Sequence, residues 1–302
     1  INPIFFFFKL FKNYKILNEI KPDYILINTP LASLYLRLVV FFLKKKSIYI
    51  VHGFRFHKSE NNLKSILFFI YEKFFSFMTS HYIVMNKEDL SIVKHKFKFS
   101  DKKILRIPSI GINYKKLKKI KTLKKNKTFN VGVIAAYRDN KGYLDLIKIA
   151  KNIQKKKLNI KFHCYGYDDK KKYLDKIKKL NLNNIILNNY NDKIYDKIKY
   201  FDLVCHLSRR EGMPISLLES ILIGVPVIGF NIRGNNEIIY NNFNGILIKP
   251  FELDNFERRL IELSKNLKKL KYLKNNCKKS IKSFHDKQSV TLMLNKFLAN
   301  VK

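Results

Sequence analysis

Two acidic side chains bracket a run that could hold a diphosphate and a sugar: Arg210-Glu211-Gly212-Met213-Pro214-Ile215-Ser216-Leu217-Leu218-Glu219. Gly212 permits a tight turn, and Pro214 suits a helix start, where its missing N–H costs nothing. A helix opening near Ile215 would offer free N–H groups and a positive dipole end at Ile215 and Ser216, a natural site for a diphosphate. Glu211 precedes that helix and can accept hydrogen bonds from sugar hydroxyls. Glu219 lies two turns in and could reach a ribose diol, as acidic residues do in dinucleotide sites. A second run, Ala135-Ala136-Tyr137-Arg138-Asp139-Asn140-Lys141-Gly142, supplies cations. A guanidinium at Arg138 would suit phosphate better than Lys141 alone, and a solvated loop charge is the alternative reading of each, weightier for Arg138 than for Lys141. The third run is Val51-His52-Gly53-Phe54-Arg55-Phe56-His57. His52 at a strand end can hydrogen-bond a hydroxyl or a leaving oxygen, whereas His57 reads more simply as satisfying backbone groups.

Something must place these runs. Short β-rich segments alternate with helical patterns, the signature of βαβ units and parallel sheets. Strands are expected at 24–27, 47–51, 82–85 and 104–107, then at 131–135, 160–165, 185–187, 203–207, 225–230 and 245–248. Leu146, Ile147, Ala150 and Ile153 mark an amphipathic helix, and the tail from Leu253 reads as helices. Ile66, Phe69, Ile70, Phe74 and Phe77 share one helical face. The apolar runs 5–8, 36–43 and 67–77 could meet a bilayer, but burial is the expectation for most of them. The Lys-rich stretch 115–127 reads as a linker. The expected organisation is an acceptor-side domain over 1–121 and a nucleotide-sugar domain over 122–302, with the last helix packing back on the first. Two doubly wound halves facing a cleft bind ligands at the carboxyl ends of their strands. The second half shows six strands and the first four, where a complete half commonly has about six.

The Glu211–Glu219 run, continued by Gly224-Val225-Pro226-Val227-Ile228-Gly229, Arg233-Gly234-Asn235-Asn236-Glu237-Ile238-Ile239 and Asn244-Gly245-Ile246-Leu247-Ile248, resembles the donor site of glycosyltransferase family 4. These are retaining enzymes of the GT-B fold, an α/β architecture of two Rossmann-like domains. The resemblance implies that Glu211 orients the donor sugar and Glu219 the ribose. It implies that Lys141, in the Lys-Gly loop that opens a helix, contacts the donor diphosphate. The usual arginine, five residues earlier, is replaced by Ala136, and Arg138 is the substitute. His52 matches the His-Gly loop facing the donor sugar; relatives whose loop continues with an aromatic and a second histidine tend to act on lipid-linked or capsular glycans. Asn28-Thr29-Pro30-Leu31-Ala32 resembles the acceptor-side loop. The resemblance covers nearly the whole chain but not the family's opening strand and glycine-rich loop. With Ile1 as first residue, the chain is therefore read as N-terminally truncated.

The implied activity is transfer from a uridine-diphosphate sugar to a glycan or lipid-linked saccharide. A sugar-nucleotide 2-epimerase and an inactive remnant that still binds the nucleotide sugar are the alternatives. The net charge of +38 first suggests a nucleic-acid partner. The lysines are spread evenly and no basic arm stands out, so biased codon usage explains the charge at least as well, and nucleic acid is not expected. An anionic membrane surface remains a candidate peripheral partner. Cys164, Cys205 and Cys277 form neither a disulfide framework nor a zinc spacing, which fits a reducing cytoplasm. No Asp-x-Asp metal site is found; Asp168-Asp169 suits helix capping. No cofactor and no metal are expected. No apolar run reaches the roughly 20 residues that span a bilayer.

Overall fold

The computed structural model describes residues 3–56, 63–123 and 127–301. The chain divides into two compact units, Ile1–Pro108 with Leu292–Lys302, and Ser109–Thr291.

The first unit holds β1 (Tyr24–Ile27), β2 (Lys46–Val51), β3 (His81–Val84) and β4 (Ile104–Arg106), all parallel and adjacent in that order. The run Lys46-Ser47-Ile48-Tyr49-Ile50-Val51 buries side chains from both faces, as a central parallel strand requires. Around the sheet lie α1 (Pro3–Ile20), α2 (Pro30–Phe42), α3 (Leu63–Ser76) and α4 (Lys87–Ser91). Thr29 starts α2: its Oγ1 accepts from the Ala32 N–H at 3.2 Å, and Pro30 follows at the first helical position, both ordinary start signals. The expected burial of the apolar helical face is corrected here. Ile66, Ile70, Phe74 and Phe77 are largely exposed, and α3 instead turns Ser65, Glu72 and Ser76 inward. The reason is an ion pair, Arg37 Nη2 to Glu72 Oε2 at 2.6 Å, which fixes α3 against α2. An α3 apolar on nearly every side has no single stripe by which periodicity could choose the buried face. In α2, Val39 and Val40 are buried but Phe41 and Phe42 are not.

The second unit holds β5 (Phe129–Ile134), β6 (Ile160–Tyr165), β7 (Ile185–Asn188), β8 (Leu203–His206), β9 (Val227–Phe230) and β10 (Gly245–Ile248). Their order is β10-β9-β8-β5-β6-β7, again parallel. The order reverses between β5 and β8, so the crevice beyond their carboxyl ends is where such a sheet takes its ligand. The helices are α5 (Tyr114–Lys119), α6 (Tyr143–Lys155), α7 (Lys171–Lys179), α8 (Tyr195–Ile198), α9 (Ile215–Ile223), α10 (Asn235–Ile238), α11 (Leu253–Lys265) and α12 (Leu267–Ser280). The last helix, α13 (Lys287–Ala299), starts in this unit and from Leu292 onward belongs to the first. As the spacing predicts, α6 buries Leu146, Ile147, Ala150 and Ile153. Both sheets are Rossmann-like, the expected class.

The linker reading of 115–127 is corrected in part. Asn113 caps α5 by accepting from the Lys116 N–H at 3.2 Å, and Leu117 is buried in the second unit. The units therefore part at Pro108–Ser109 rather than near 121. Among the described residues no helix is long and apolar enough to cross a membrane.

Candidate functional site

The loop that follows β5 and the loop that follows β8 meet at the switch point. Gly142 has φ +78°, and a Cβ there would sit 2.2 Å from the Leu207 carbonyl oxygen. Only glycine permits that approach and that backbone angle. The Arg209 N–H donates to the Asn140 carbonyl at 2.9 Å, and Arg209 Nη2 pairs with Asp145 Oδ2 at 2.8 Å. Sequence-distant loops are thereby fixed side by side.

Their side chains converge on Glu211. Lys141 Nζ donates to Glu211 Oε1 at 2.7 Å, and His206 Nε2 lies 3.1 Å from the same oxygen. The imidazole is not oriented for a straight hydrogen bond, so Lys141 makes the stronger contact. Burial alone would raise the Glu211 carboxyl; His206 and Lys141 outweigh it and hold it at about 2. Glu211 is thus a carboxylate at neutral pH in a site only 12% open to solvent on that side chain, a state maintained by its partners.

Downstream, Gly212, Met213 and Pro214 are buried, while Ile215 and Ser216 are partly open. The N-cap residue of α9 is Pro214, whose side chain makes no cap hydrogen bond, and a helix start of this kind can bind an anion through its first-turn amides. The turn rests on Gly234, whose φ is +80° and whose Cβ would fall 2.5 Å from the Gly212 carbonyl oxygen. Arg233, also buried, donates from Nε to the Glu211 carbonyl at 3.4 Å.

Lys141, Glu211 and the Gly212–Ser216 turn are therefore brought together. Arg138 is not joined to them: its guanidinium pairs with Asp168 and stands 5.7 Å from the Tyr167 ring, with 58% of the side chain exposed. Asp169 accepts from the Lys171 N–H at 2.8 Å at the start of α7, the expected kind of capping role, but Asp168 serves Arg138 instead. Glu219 is partly buried within α9; burial pushes its carboxyl up to about 7, and Lys287 offsets only part of that. In the other unit, His52 follows β2 and its Nε2 lies 2.7 Å from Asn28 Oδ1 at the end of β1. Burial holds the imidazole below its ordinary pKa. His57 lies outside the described residues.

Sequence reasoning missed two residues here. His206 ends an otherwise apolar strand, and that lone polar residue before the loop was the available signal. Ser208 follows it, fully buried, with no hydrogen-bond partner for its Oγ among the described residues. Among those residues no cluster of three metal-ligating side chains occurs.

The family model of glycosyl transferases group 1 matches residues 115–280. An uncharacterized glycosyltransferase of Methanocaldococcus jannaschii is 29% identical over 87% of this chain and 70% of its own length. The UDP-Gal:alpha-D-GlcNAc-diphosphoundecaprenol alpha-1,3-galactosyltransferase of Escherichia coli is 26% identical over 78% of this chain and 64% of its own. Among solved structures, Anabaena HepE in complex with UDP and glucose superposes with a TM-score of 0.77 at 17% identity, over 96% of this chain and 81% of that one. TarM superposes at 0.74 and 21% identity, over 96% of this chain but only 57% of TarM. The chain thus spans less than two thirds of some of the proteins it resembles. The fold shared with these structures is GT-B.

Proposed function

We propose, from the premise that the chain belongs to the group 1 glycosyl transferases, that it moves a sugar from a uridine-diphosphate donor to a glycan or lipid-linked acceptor in polysaccharide or glycoconjugate synthesis. The observation that carries this reading is the Lys141–His206–Glu211 cluster at the switch point, beside the start of α9. The UDP and glucose bound by HepE and the diphosphoundecaprenol acceptor named for the Escherichia coli relative support it.

The difficult step is departure of uridine diphosphate. The bond from the anomeric carbon to the phosphate oxygen breaks as the acceptor oxygen bonds to that carbon, and the acceptor proton passes to the departing diphosphate. Lys141 and the first-turn amides of α9 balance the growing negative charge in a site largely shielded from water. Glu211, kept ionised, accepts hydrogen bonds from sugar hydroxyls and fixes the reacting face. Glu219 accepts from the ribose diol. His52, held by Asn28, is the contact assigned to the leaving or entering oxygen. Front-face attack with retained anomeric configuration is the stereochemistry proposed, and no resident metal takes part. A cytoplasmic membrane face is the proposed location, supported by the exposed Phe7, Phe11, Phe42 and Phe77 on a strongly basic chain.

Turnover of a panel of uridine-diphosphate sugars by wild type, Glu211→Ala and Lys141→Ala tests the assignment. Rates in both variants equal to wild type would reject it. Conversion of donor without acceptor would instead indicate an epimerase.

A further inference from the structure

Lys141 and His206 reach the same oxygen of Glu211. Lys141 Nζ lies 2.7 Å from Oε1 and His206 Nε2 lies 3.1 Å from it, while Oε2 takes neither. The two side chains differ in freedom. Lys141 approaches from the loop before α6 on a flexible stem, with 21% of its side chain exposed. His206 ends β8, pairs with Gly229 of β9, and leaves only 4% of its side chain open. The ammonium can move away from Glu211; the imidazole can only turn in place.

Packing alone does not call for a histidine there. Every position of β8, Leu203-Val204-Cys205-His206, is buried, so an apolar side chain would fill the place. Nε2 makes no straight hydrogen bond among the described residues, and a buried polar group in that state costs stability that a function must offset.

Donor binding supplies the function. A diphosphate and a carboxylate on either side of one ammonium are like charges that compete for it. As Lys141 turns to the diphosphate, Glu211 loses its shortest contact. With 12% of the Glu211 side chain exposed, water replaces little of that loss, and a buried charge deprived of its partner is strongly disfavoured. His206 Nε2 stands within reach and needs only a small ring rotation to straighten its bond. In its Nε2–H form the ring donates whether or not it carries a charge.

We infer that His206 is a positioning residue that takes over Oε1 of Glu211 when the donor diphosphate draws Lys141 away, leaving Oε2 for the sugar. The inference rests on the transferase reading above and adds an exchange of partners to it.

The test is titration of the full chain with uridine diphosphate in wild type, His206→Leu, His206→Gln, Glu211→Gln and the double variant His206→Leu, Glu211→Gln. His206→Leu should weaken binding about tenfold, because Lys141 can then leave Glu211 only by stranding its charge. His206→Gln keeps a donor at the same reach and should stay within about threefold of wild type. With Glu211→Gln there is no charge to strand, and adding His206→Leu should change affinity by less than about twofold. A packing role would weaken binding equally in both backgrounds. Wild type gives a further readout that needs no folded variant: the His206 Nε2 resonance, assigned through bonds from its own backbone, should shift as uridine diphosphate is added. Equal binding by wild type and His206→Leu, an equal loss in both backgrounds, or an unmoved resonance would overturn the inference alone. Wild type that binds no uridine diphosphate would overturn the transferase reading and this inference with it.

Discussion

The two units each bury a glutamate against a cation at nearly the same distance, and the two carboxyls move in opposite directions. Glu72 meets Arg37 at 2.6 Å, and Glu211 meets Lys141 at 2.7 Å. Burial pushes Glu72 up, with Arg37 pulling it back only in part. Glu211 also suffers burial first, yet two partners bring it to about 2. Arg37 is wholly enclosed, stacked 4.3 Å from Tyr49, and its Nε and Nη1 find no hydrogen-bond partner among the described residues. It serves as a pin between helices. The Lys141–Glu211 pair sits in the loops that follow β5 and β8 with about a fifth of the lysine exposed, just before the start of α9. The same chemistry is sealed from solvent in one unit and left open on one side in the other.

That contrast can be broken first in the sealed pair. Arg37→Met leaves Glu72 buried with its main partner gone and should cost about 3–5 kcal/mol in denaturant unfolding of the first unit. Adding Glu72→Leu should recover most of it. A cost below about 1 kcal/mol for the single change would show that the pair is no pin. In the open pair, Lys141→Ala should weaken uridine diphosphate by roughly a hundredfold, near 2.7 kcal/mol, while lowering stability less than Arg37→Met. The reverse ranking, with affinity intact and stability lost, would make both pairs structural. Gly234→Ala should cost about 1–3 kcal/mol and displace the turn carrying Glu211, lowering affinity without removing any charge; calorimetry and titration together read both effects.

The smallest effect concerns Glu219, raised from 4.5 to about 7. A carboxyl raised on folding binds its proton more tightly in the folded chain. Its contribution to stability is full below about 4.5 and lost as pH rises through about 7. Glu219→Gln should therefore gain about 1 kcal/mol over wild type at pH 8 and nothing near pH 4. Identical stability profiles across that range would remove the argument that Glu219 is held in a dry setting. Glu211 has the opposite sign: its contribution is present above about 4.5 and fades as pH falls toward 2.

Legibility followed the physics of each feature. Strands were plain because short segments rich in apolar residues alternate with helical patterns, as in Ile160–Tyr165, where buried and more open positions alternate and the strand is found where expected. The helix after Glu211 was plain because Pro214, with φ −75°, stands directly before it. The buried face of α3 was not, because Arg37 lies 35 positions away and no local pattern announces a distant partner. Leu117 in the supposed linker was hidden by surrounding lysines, which solvate one side of α5 while a single apolar side chain anchors the other.

The sequence by itself determined the alternating α/β class, the two sheets, and the three runs that contain Lys141, Glu211 and His52, since strand and turn preferences are local. Only the tertiary structure decided that Lys141 and His206 share one oxygen of Glu211, that Arg138 turns instead to Asp168, and that α3 leaves its apolar face outward. Those outcomes depend on which distant charges meet away from water. There the desolvation of each ion and the number of its partners outweigh any preference written along the chain.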